Sequence, residues 1–209
     1  MILSKHLFLQ LLLFCTMVSF LSCSSDDNTD PDSFTDSRDG QVYKTVKIGS
    51  QTWMGENLKY ASPSAGTSAC YDNNNSNCST FGRLYDYDAA VVACPSGWRL
   101  PSDADWKTLE SFLGIPANEL DIIGNRGTDQ GATLVNGDFK AEKAGRQNGG
   151  TFEGINVLFT YWTSTIDPSD NTLAFARSII DLNVSTQLDR VATSRDISDN
   201  RLCVRCLKN

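Results

Sequence analysis

Seven cysteines constrain this 209-residue chain more than any other feature of its sequence. Cysteines pair into disulfides in exported proteins and stay reduced in the cytosol, so their meaning depends on whether the chain is exported. Two of them lie near the N-terminus, and the other five lie in the part that can fold: Cys15 and Cys23, then Cys70, Cys78, Cys94, Cys203 and Cys206. Five is an odd number, so one thiol is left over if the others pair.

The first 22 residues have the layout of a secretory signal. Lys5 and His6 come first, and an apolar run over residues 7–21 follows, interrupted only by Gln10, Thr16 and Ser19. A membrane-spanning helix needs about 20 predominantly apolar residues, and this run is shorter and ends in small residues. We therefore predict a signal peptide over residues 1–22.

The end of this run predicts a lipid anchor. The segment "FLSC" at residues 20–23 resembles the lipobox of bacterial lipoproteins, in which the cysteine is acylated, so Cys23 is the predicted lipidation site. The following "CSSDDNTD" resembles the export signal that sends lipoproteins of Bacteroidetes-type bacteria to the outer face of the outer membrane. The resemblance implies a cell-surface lipoprotein that contacts the membrane through its N-terminal lipid. Residues 23–38 are acidic and poor in apolar side chains, which predicts a flexible tether before a domain at 39–209.

Local patterns within residues 39–209 predict an α+β fold with one core. Alternating residues from Val42 to Ile48 predict a strand, and β-branched and aromatic segments after Thr151 predict short antiparallel strands. Ser102 and Asp105 form a capping box that begins a helix ending near Gly114. Weaker patterns predict helices over 118–123 and 128–135, and the polar segment 63–80 is interpreted as a loop.

The spacing of the cysteines favours two disulfides and one free thiol. Cys70 and Cys78 flank a polar segment that packing cannot hold, which favours a local disulfide. In an extended strand Cys203 and Cys206 would lie about 10 Å apart, too far to pair, and on opposite faces. Cys206 shares its face with Leu202 and Val204, so it is the better candidate for the interior and for pairing with Cys94, which leaves Cys203 free. A Cys94–Cys203 link would indicate a β-bulge, and a Cys203–Cys206 link would indicate that the segment is not extended.

Five ordered blocks give the chain a family likeness. The segments "DGQVYKTVKIGSQTWMGENLKY", "CYDNNNSNCSTFGRLYDYDAA", "CPSGWRLPSDADWKTL", "YWTST" and "VRCLKN" together resemble the Fibrobacter succinogenes major paralogous domain, a family of exported bacterial proteins. The resemblance covers residues 39–209. It implies a C-type-lectin-like fold, with short antiparallel strands, two or three helices, a strand pair formed by the chain ends, and disulfide ties. The chain departs from the family pattern at Cys203 and over residues 136–160.

Several classes of chemistry have no residues to support them. The only histidine is His6 in the leader, so histidine-dependent nucleophiles and histidine-ligated zinc are excluded from the mature chain. The carboxylates Glu56, Asp86, Asp88 and Glu110 exist without a pairing pattern, and we expect structural roles for them. No calcium-binding signature is present, so we expect no metal and no cofactor. The formal net charge of −7 makes nucleic acid an unsuitable partner.

The four tryptophans allow two interpretations. Trp53, Trp98, Trp106 and Trp162 could form a platform on which sugars stack, but each lies in a patterned strand or helix segment. A position in the core is therefore the better interpretation. The sequence assigns no ligand-binding residue.

These observations lead to a hypothesis about function. We expect a non-catalytic binding or adhesion module for an extracellular glycan or protein, with no catalytic residues. One alternative is a thiol-dependent enzyme on a scaffold like that of the formylglycine-generating oxidases, with Cys203 and Cys206 as its cysteine pair. The other alternative is a structural subunit of a surface assembly.

Overall fold

A computed structural model describes the chain at residues 32–61, 63–181, 186–194 and 200–209. The predicted signal peptide (1–22), the predicted lipidation site Cys23 and residues 24–31 of the predicted tether lie outside these described residues. Within the described ranges, no helix is long and apolar enough to cross a membrane.

Strands occupy both ends of the described chain, and the four α-helices lie between them. The strands are β1 (Ser33–Thr35), β2 (Val42–Ile48), β3 (Gln51–Met54), β4 (Ser68–Ala69), β5 (Leu84–Tyr85), β6 (Trp98–Arg99), β7 (Gly124–Arg126), β8 (Ala144–Asn148), β9 (Thr151–Ile155), β10 (Leu158–Ile166), β11 (Leu173–Asp181), β12 (Thr186–Ser194), β13 (Asn200–Cys203) and β14 (Leu207–Lys208). The helices are α1 (Asn75–Phe81), α2 (Tyr87–Ala93), α3 (Asp103–Phe112) and α4 (Gln130–Asn136). The predicted α+β class is confirmed. The predicted helix number is wrong, because the described residues contain four α-helices.

The strands form two sheets. The first has the order β1-β2-β3-β14-β6, and the second has the order β4-β5-β13-β10-β11-β12-β7, with β8 paired to β13 and β9 paired to β8. The described pairs are antiparallel except that Tyr161 of β10 lies beside Cys203 of β13 in a parallel pair. The strands predicted after Thr151 are present, but β10, β11 and β12 are nine residues each rather than short.

The ordered domain begins before Asp39. Strand β1 pairs with β2, with Phe34 opposite Tyr43, and the Phe34 ring lies 5.2 Å from that of Trp98. Asp36 is fully buried and accepts hydrogen bonds from the Arg38 guanidinium at 2.7 to 3.2 Å. The prediction of a flexible tether up to residue 38 is therefore wrong for residues 33–38, because one aromatic side chain and one buried carboxylate suffice to hold them.

The helix with the strongest sequence signal is present. Helix α3 begins after Ser102, whose hydroxyl accepts a hydrogen bond from the Asp105 amide while the Asp105 carboxylate accepts from the Ser102 amide. Helix α4 overlaps the predicted segment 128–135 and ends one residue beyond it. The predicted helix over 118–123 is wrong: this segment consists of turns, and Ile122 and Ile123 are exposed, so its apolar residues do not form one buried face.

The segment 63–80 is not a loop throughout. Helix α1 occupies Asn75–Phe81 and begins where the Asn74 side chain accepts a hydrogen bond from the Ser76 amide at 3.0 Å. The Cys70–Cys78 disulfide joins this helix to the preceding turn, with a Cα–Cα distance of 5.0 Å. A cap and a covalent link thus hold a helix that has little apolar surface to bury.

The C-terminal segment connects the two sheets. Strand β13 belongs to the second sheet and β14 to the first, and between them the carbonyls of Val204 and Cys206 accept hydrogen bonds from the amides of Leu58 and Met54. Cys206 is bonded to Cys94, which lies at the end of α2, with a Cα–Cα distance of 5.9 Å. Cys203 is a free thiol. Cys203 and Cys206 are both fully buried, so burial does not separate the two cysteines as their predicted positions on opposite faces suggested.

Candidate functional site

The carboxylates considered as acid/base candidates are held in separate structural roles. Glu110 is fully buried between Arg126 and Arg177, at 2.8 and 2.6 Å. Asp86 caps α2, where it accepts from the Ala89 amide. Glu56 pairs with Lys59 at 3.0 Å, and Asp88 is exposed on α2. Each carboxylate has its own surroundings, so these four do not form a catalytic pair.

A buried ion network joins α3 to the second sheet. Asp103 contacts Arg190 at 2.8 Å, Lys107 at 2.8 Å and Arg177 at 2.9 Å. Burial alone would raise the pKa of Asp103, but hydrogen bonds from Arg190 and Lys107 hold that pKa below its ordinary value. These charges are paired with one another, and they join α3 to β11 through Arg177 and to β12 through Arg190.

The cysteines do not form a thiol pair. Cys206 has no free thiol, because it forms a disulfide with Cys94. Burial raises the pKa of the Cys203 thiol, and the nearby Glu142 carboxylate raises it further. A thiol in this state is a weak nucleophile, because the thiolate is the reactive form.

The tryptophans belong to the core, as the sequence indicated. Trp53, Trp106 and Trp162 are fully buried, and Trp98 is 7% exposed. The rings of Trp53 and Trp106 lie 5.1 Å apart, and the Trp162 indole donates to the Tyr85 carbonyl at 2.8 Å. No tryptophan platform for sugar stacking is present. Among the described residues, no three His, Cys, Asp or Glu side chains cluster to hold a metal ion.

An open depression lies on one face of the first sheet, and we call it the hairpin groove because it crosses the β2–β3 hairpin. Its volume is about 270 Å³. It is lined by Asp32, Ser33, Phe34, Thr45, Lys47, Thr52, Trp98 and Lys208. Hydroxyl groups, two ammonium groups and the edge of an aromatic pair therefore meet on one surface. None of these residues was predicted as a site from the sequence.

The strand register explains why these side chains meet. Lys47 pairs with Thr52, and Lys208 pairs with Trp98. The pairing of Leu207 with Trp53 places Lys208 beside Thr52. Cross-strand neighbours share a face of the sheet, so Lys47, Thr52, Lys208 and Trp98 form a row across β2, β3, β14 and β6. Adjacent strands are about 4.8 Å apart, so the backbones of Lys47 and Lys208 are about 10 Å apart.

A second depression of about 350 Å³ continues from the hairpin groove past β2. It shares Asp32, Thr45 and Lys47 with the groove and adds Lys44, Val46, Gly55, Asp138 and Lys140. Arg205, which is fully buried, donates to the carbonyls of Phe139 at 2.6 Å and Lys140 at 3.4 Å. The same guanidinium donates to the Asn57 side chain at 2.7 and 3.0 Å. Arg205 thus fixes the loop that presents Lys140 to this second depression.

The lysines of the two depressions lack the ion pairs that other basic side chains make. Arg99 pairs with Asp105, Lys59 with Glu56, and Lys107 with Asp103. Within the described residues, no carboxylate pairs with Lys44, Lys47, Lys140 or Lys208. Four lysines and two aspartates line the two depressions, which gives a local formal charge of +2 (4 − 2) in a chain whose total is −7.

The sequence contains only a weak signal for this site. Lys47 alternates with Val46 and Ile48 in a strand pattern, so its position on the opposite face could have been inferred. Its meeting with Lys208 could not, because the two residues lie near opposite ends of the described chain and come together only through the register of β14.

The profile of the Fibrobacter succinogenes major domain matches residues 46–208, which is more than half of the chain. Comparisons with curated proteins and with solved structures find no match. The matched region includes most of both sheets, both disulfides and the residues Lys47, Thr52 and Lys208. The chain therefore belongs to the Fibrobacter succinogenes major domain family.

Proposed function

We propose that this protein is a surface-exposed bacterial lipoprotein whose domain acts as a non-catalytic binding module for an extracellular glycan or protein. The observation that carries the proposal is the hairpin groove, which is lined by threonine hydroxyls, by the exposed ammonium groups of Lys47 and Lys208, and by the half-buried ring of Phe34. Binding sites commonly combine apolar surface with a few placed polar groups.

The state of the reactive groups supports binding rather than catalysis. The candidate carboxylates Glu110 and Asp86 serve an ion network and a helix cap, and Cys203 is sealed in the core. The alternative of a thiol-dependent enzyme needs two thiols, and it has less support because Cys206 is bonded to Cys94.

We also propose that the fold is C-type-lectin-like. Three features support this assignment: the last strand pairs with the N-terminal hairpin, a disulfide spanning 112 residues ties the end of α2 to the C-terminus, and a separate antiparallel sheet carries β10–β12. An experimental structure that superposes on C-type lectin domains only over isolated elements would refute this assignment.

The alternative of a structural subunit rests on an apolar feature. Phe112 is 64% exposed and lies over Gly49, beside an apolar depression lined by Val46, Ile48 and Leu113. If the chain assembles through this face, analytical ultracentrifugation will show concentration-dependent association that Phe112→Ser removes. A monomer at all concentrations would exclude this alternative.

The binding proposal is tested by screening the full chain, purified in detergent, against immobilised glycans and extracellular proteins. Thr52→Trp fills the hairpin groove, and Thr151→Trp on β9 is the matched control, because Thr151 is exposed on the second sheet. We expect at least one ligand that the unmodified chain and Thr151→Trp bind and that Thr52→Trp does not. The proposed site would be refuted if the unmodified chain bound none of the glycans and proteins in the screen, or if Thr52→Trp and Thr151→Trp bound equally well.

The location is tested separately at Cys23. Replacement of Cys23 by Ala should move the protein from the membrane fraction to the soluble fraction, because the acyl chains supply the anchor. Protease applied to intact cells should digest the unmodified protein if it faces outward. Membrane retention of Cys23→Ala would contradict lipidation at this residue, and protection from protease would contradict surface exposure.

A further inference from the structure

We propose that the hairpin groove binds an acidic polysaccharide, that is, a glycan carrying carboxylate or sulfate groups. This inference rests on the proposed binding function and assigns a ligand class to the same site. The row formed by Lys47, Thr52 and Lys208 is the centre of the site, and Phe34 and Trp98 form its aromatic end.

The charge distribution indicates an anionic ligand. Lys47 and Lys208 are exposed, and neither has a carboxylate partner within the described ranges, whereas Arg99 on the neighbouring strand β6 is neutralised by Asp105. The groove is lined by the ammonium groups of Lys47 and Lys208 and by the carboxylate of Asp32, so its local formal charge is +1 in a chain whose total is −7. This local excess of positive charge favours an anion at the position of the two lysines.

The shape of the site favours a polysaccharide over a protein. A stable protein interface buries about 800 Å² on each partner and has an apolar centre. The lining of the hairpin groove is instead polar, with threonine hydroxyls between the two lysines, and its aromatic surface is limited to the exposed part of the Phe34–Trp98 pair. The threonine hydroxyls can hydrogen-bond to sugar hydroxyls, and the lysine ammonium groups can pair with the anionic groups of a charged sugar. The exposed edge of the aromatic pair can contact the face of a sugar ring.

The row of side chains also fits a polymer rather than a single small anion. The backbones of Lys47 and Lys208 are about 10 Å apart, with Thr52 between them. The second depression shares Lys47 with the groove and adds Lys140, whereas Lys44 lies on the other face of β2 together with Val46 and Ile48. A chain with repeating anions can contact successive lysines along this path, and a free monovalent anion would contact one at a time.

The inference is tested by measuring binding of the full chain, in detergent, to matched pairs of polymers. The pairs are polygalacturonate with its methyl ester, and dextran sulfate with dextran, and poly-L-glutamate serves as a polyanion without sugars. The variants are Lys47→Gln, Lys208→Gln and the double variant, and Arg146→Gln is the control, because Arg146 lies on β8 of the second sheet and carries the same charge. Urea midpoints of all variants verify that they are folded.

We expect at least one charged polysaccharide to bind at least about tenfold more tightly than its neutral partner, since a charge-assisted hydrogen bond supports a change of that order. The double lysine variant should lose at least about tenfold, and Arg146→Gln should change little. Binding should weaken as sodium chloride rises from about 0.05 M to about 0.5 M, because salt screens exposed charges.

Several results would overturn the inference. Equal affinity for charged and neutral polymers would refute the assigned charge while leaving the binding function intact. Poly-L-glutamate bound as tightly as polygalacturonate would refute the assignment to a sugar. A loss in Arg146→Gln as large as in the double lysine variant would refute the site. If none of the acidic polymers binds but the wider screen finds another ligand, only this inference is refuted. If no ligand is found in either experiment, the proposed binding function is refuted as well.

Discussion

Replacing Cys206 with Ser should remove most of the stability that the chain has. The Cys94–Cys206 disulfide joins residues 112 positions apart. In the chain-entropy relation, a cross-link lowers the entropy of the unfolded chain by about 2.1 cal/mol/K plus 1.5R ln n, where n is the number of residues in the closed loop. With n equal to 112, this lost entropy corresponds to about 5 kcal/mol of stability at room temperature. Domains are stable by about 5 to 15 kcal/mol, so this loss would leave the protein marginally folded or unfolded.

The matched control is Cys203→Ser, three residues earlier. Cys203 closes no loop, but it is fully buried, so a hydroxyl at this position costs about 1 to 3 kcal/mol through imperfect hydrogen bonding. A second control is Cys78→Ser, because the Cys70–Cys78 bond spans only eight residues and the same relation gives about 2.5 kcal/mol.

The assay is urea unfolding under non-reducing conditions, with free energies compared among variants of equal slope. We expect the order of loss to be Cys206→Ser, then the two controls. The variant with both Cys94 and Cys206 replaced should be about as unstable as Cys206→Ser alone, because the two residues form one bond. Equal losses for Cys206→Ser and Cys203→Ser, or additive losses for Cys94 and Cys206, would refute the assigned pairing.

Four further predictions concern the interior and the domain boundary. Glu110→Gln should cost about 3 to 5 kcal/mol in urea unfolding because it leaves the buried guanidinium of Arg126 without a carboxylate and that of Arg177 with Asp103 alone, and a loss as small as that of the exposed control Asp88→Asn would contradict the ion network. The pKa of Asp103 lies below its ordinary value in the folded state, so its contribution to stability is present above about pH 4 and is lost as the pH falls further, and Asp103→Asn should flatten the acid side of the stability profile. Iodoacetamide should not modify Cys203 in the native protein at neutral pH and should modify it in urea, and rapid native alkylation would contradict its burial. A shortened chain that begins at Asp39 should be less stable than one that begins at Ser24, because it lacks β1 and the Phe34–Trp98 contact, and equal melting temperatures would show that β1 contributes nothing.

The parts of the fold that the sequence predicts well are those with local signals. Helix α3 follows from its capping box, and the Cys70–Cys78 disulfide follows from a short polar spacing. The Cys94–Cys206 pairing was predicted by an argument from strand faces whose premise does not hold. The chain leaves the strand at Cys203 and passes between the two sheets, so both of its sides are buried. Only Cys94 and Cys206 have their sulfur atoms within bonding distance there.

The elements that the sequence did not predict depend on distant contacts. Strand β1 has little apolar surface, but Phe34 packs against Trp98 from a later part of the chain. Helix α1 is rich in asparagine and serine, and a disulfide and an Asn74 cap hold it. Residues 118–123 have helix-forming composition, but Ile122 and Ile123 are exposed, so little apolar surface is buried that could hold a helix there. The same reason applies to the hairpin groove, because Lys208 meets Lys47 only through sheet pairing.

Binding at the hairpin groove is tested by lysine footprinting of the full chain with each ligand retained in the screen. The protein is briefly acetylated with and without the ligand, and the extent of modification at each lysine is determined by mass spectrometry. We expect the ligand to protect Lys47 and Lys208, while Lys59 and Lys107, which form ion pairs with Glu56 and Asp103, keep their reactivity. Unchanged reactivity at Lys47 and Lys208 in the presence of a saturating ligand would contradict binding at the hairpin groove.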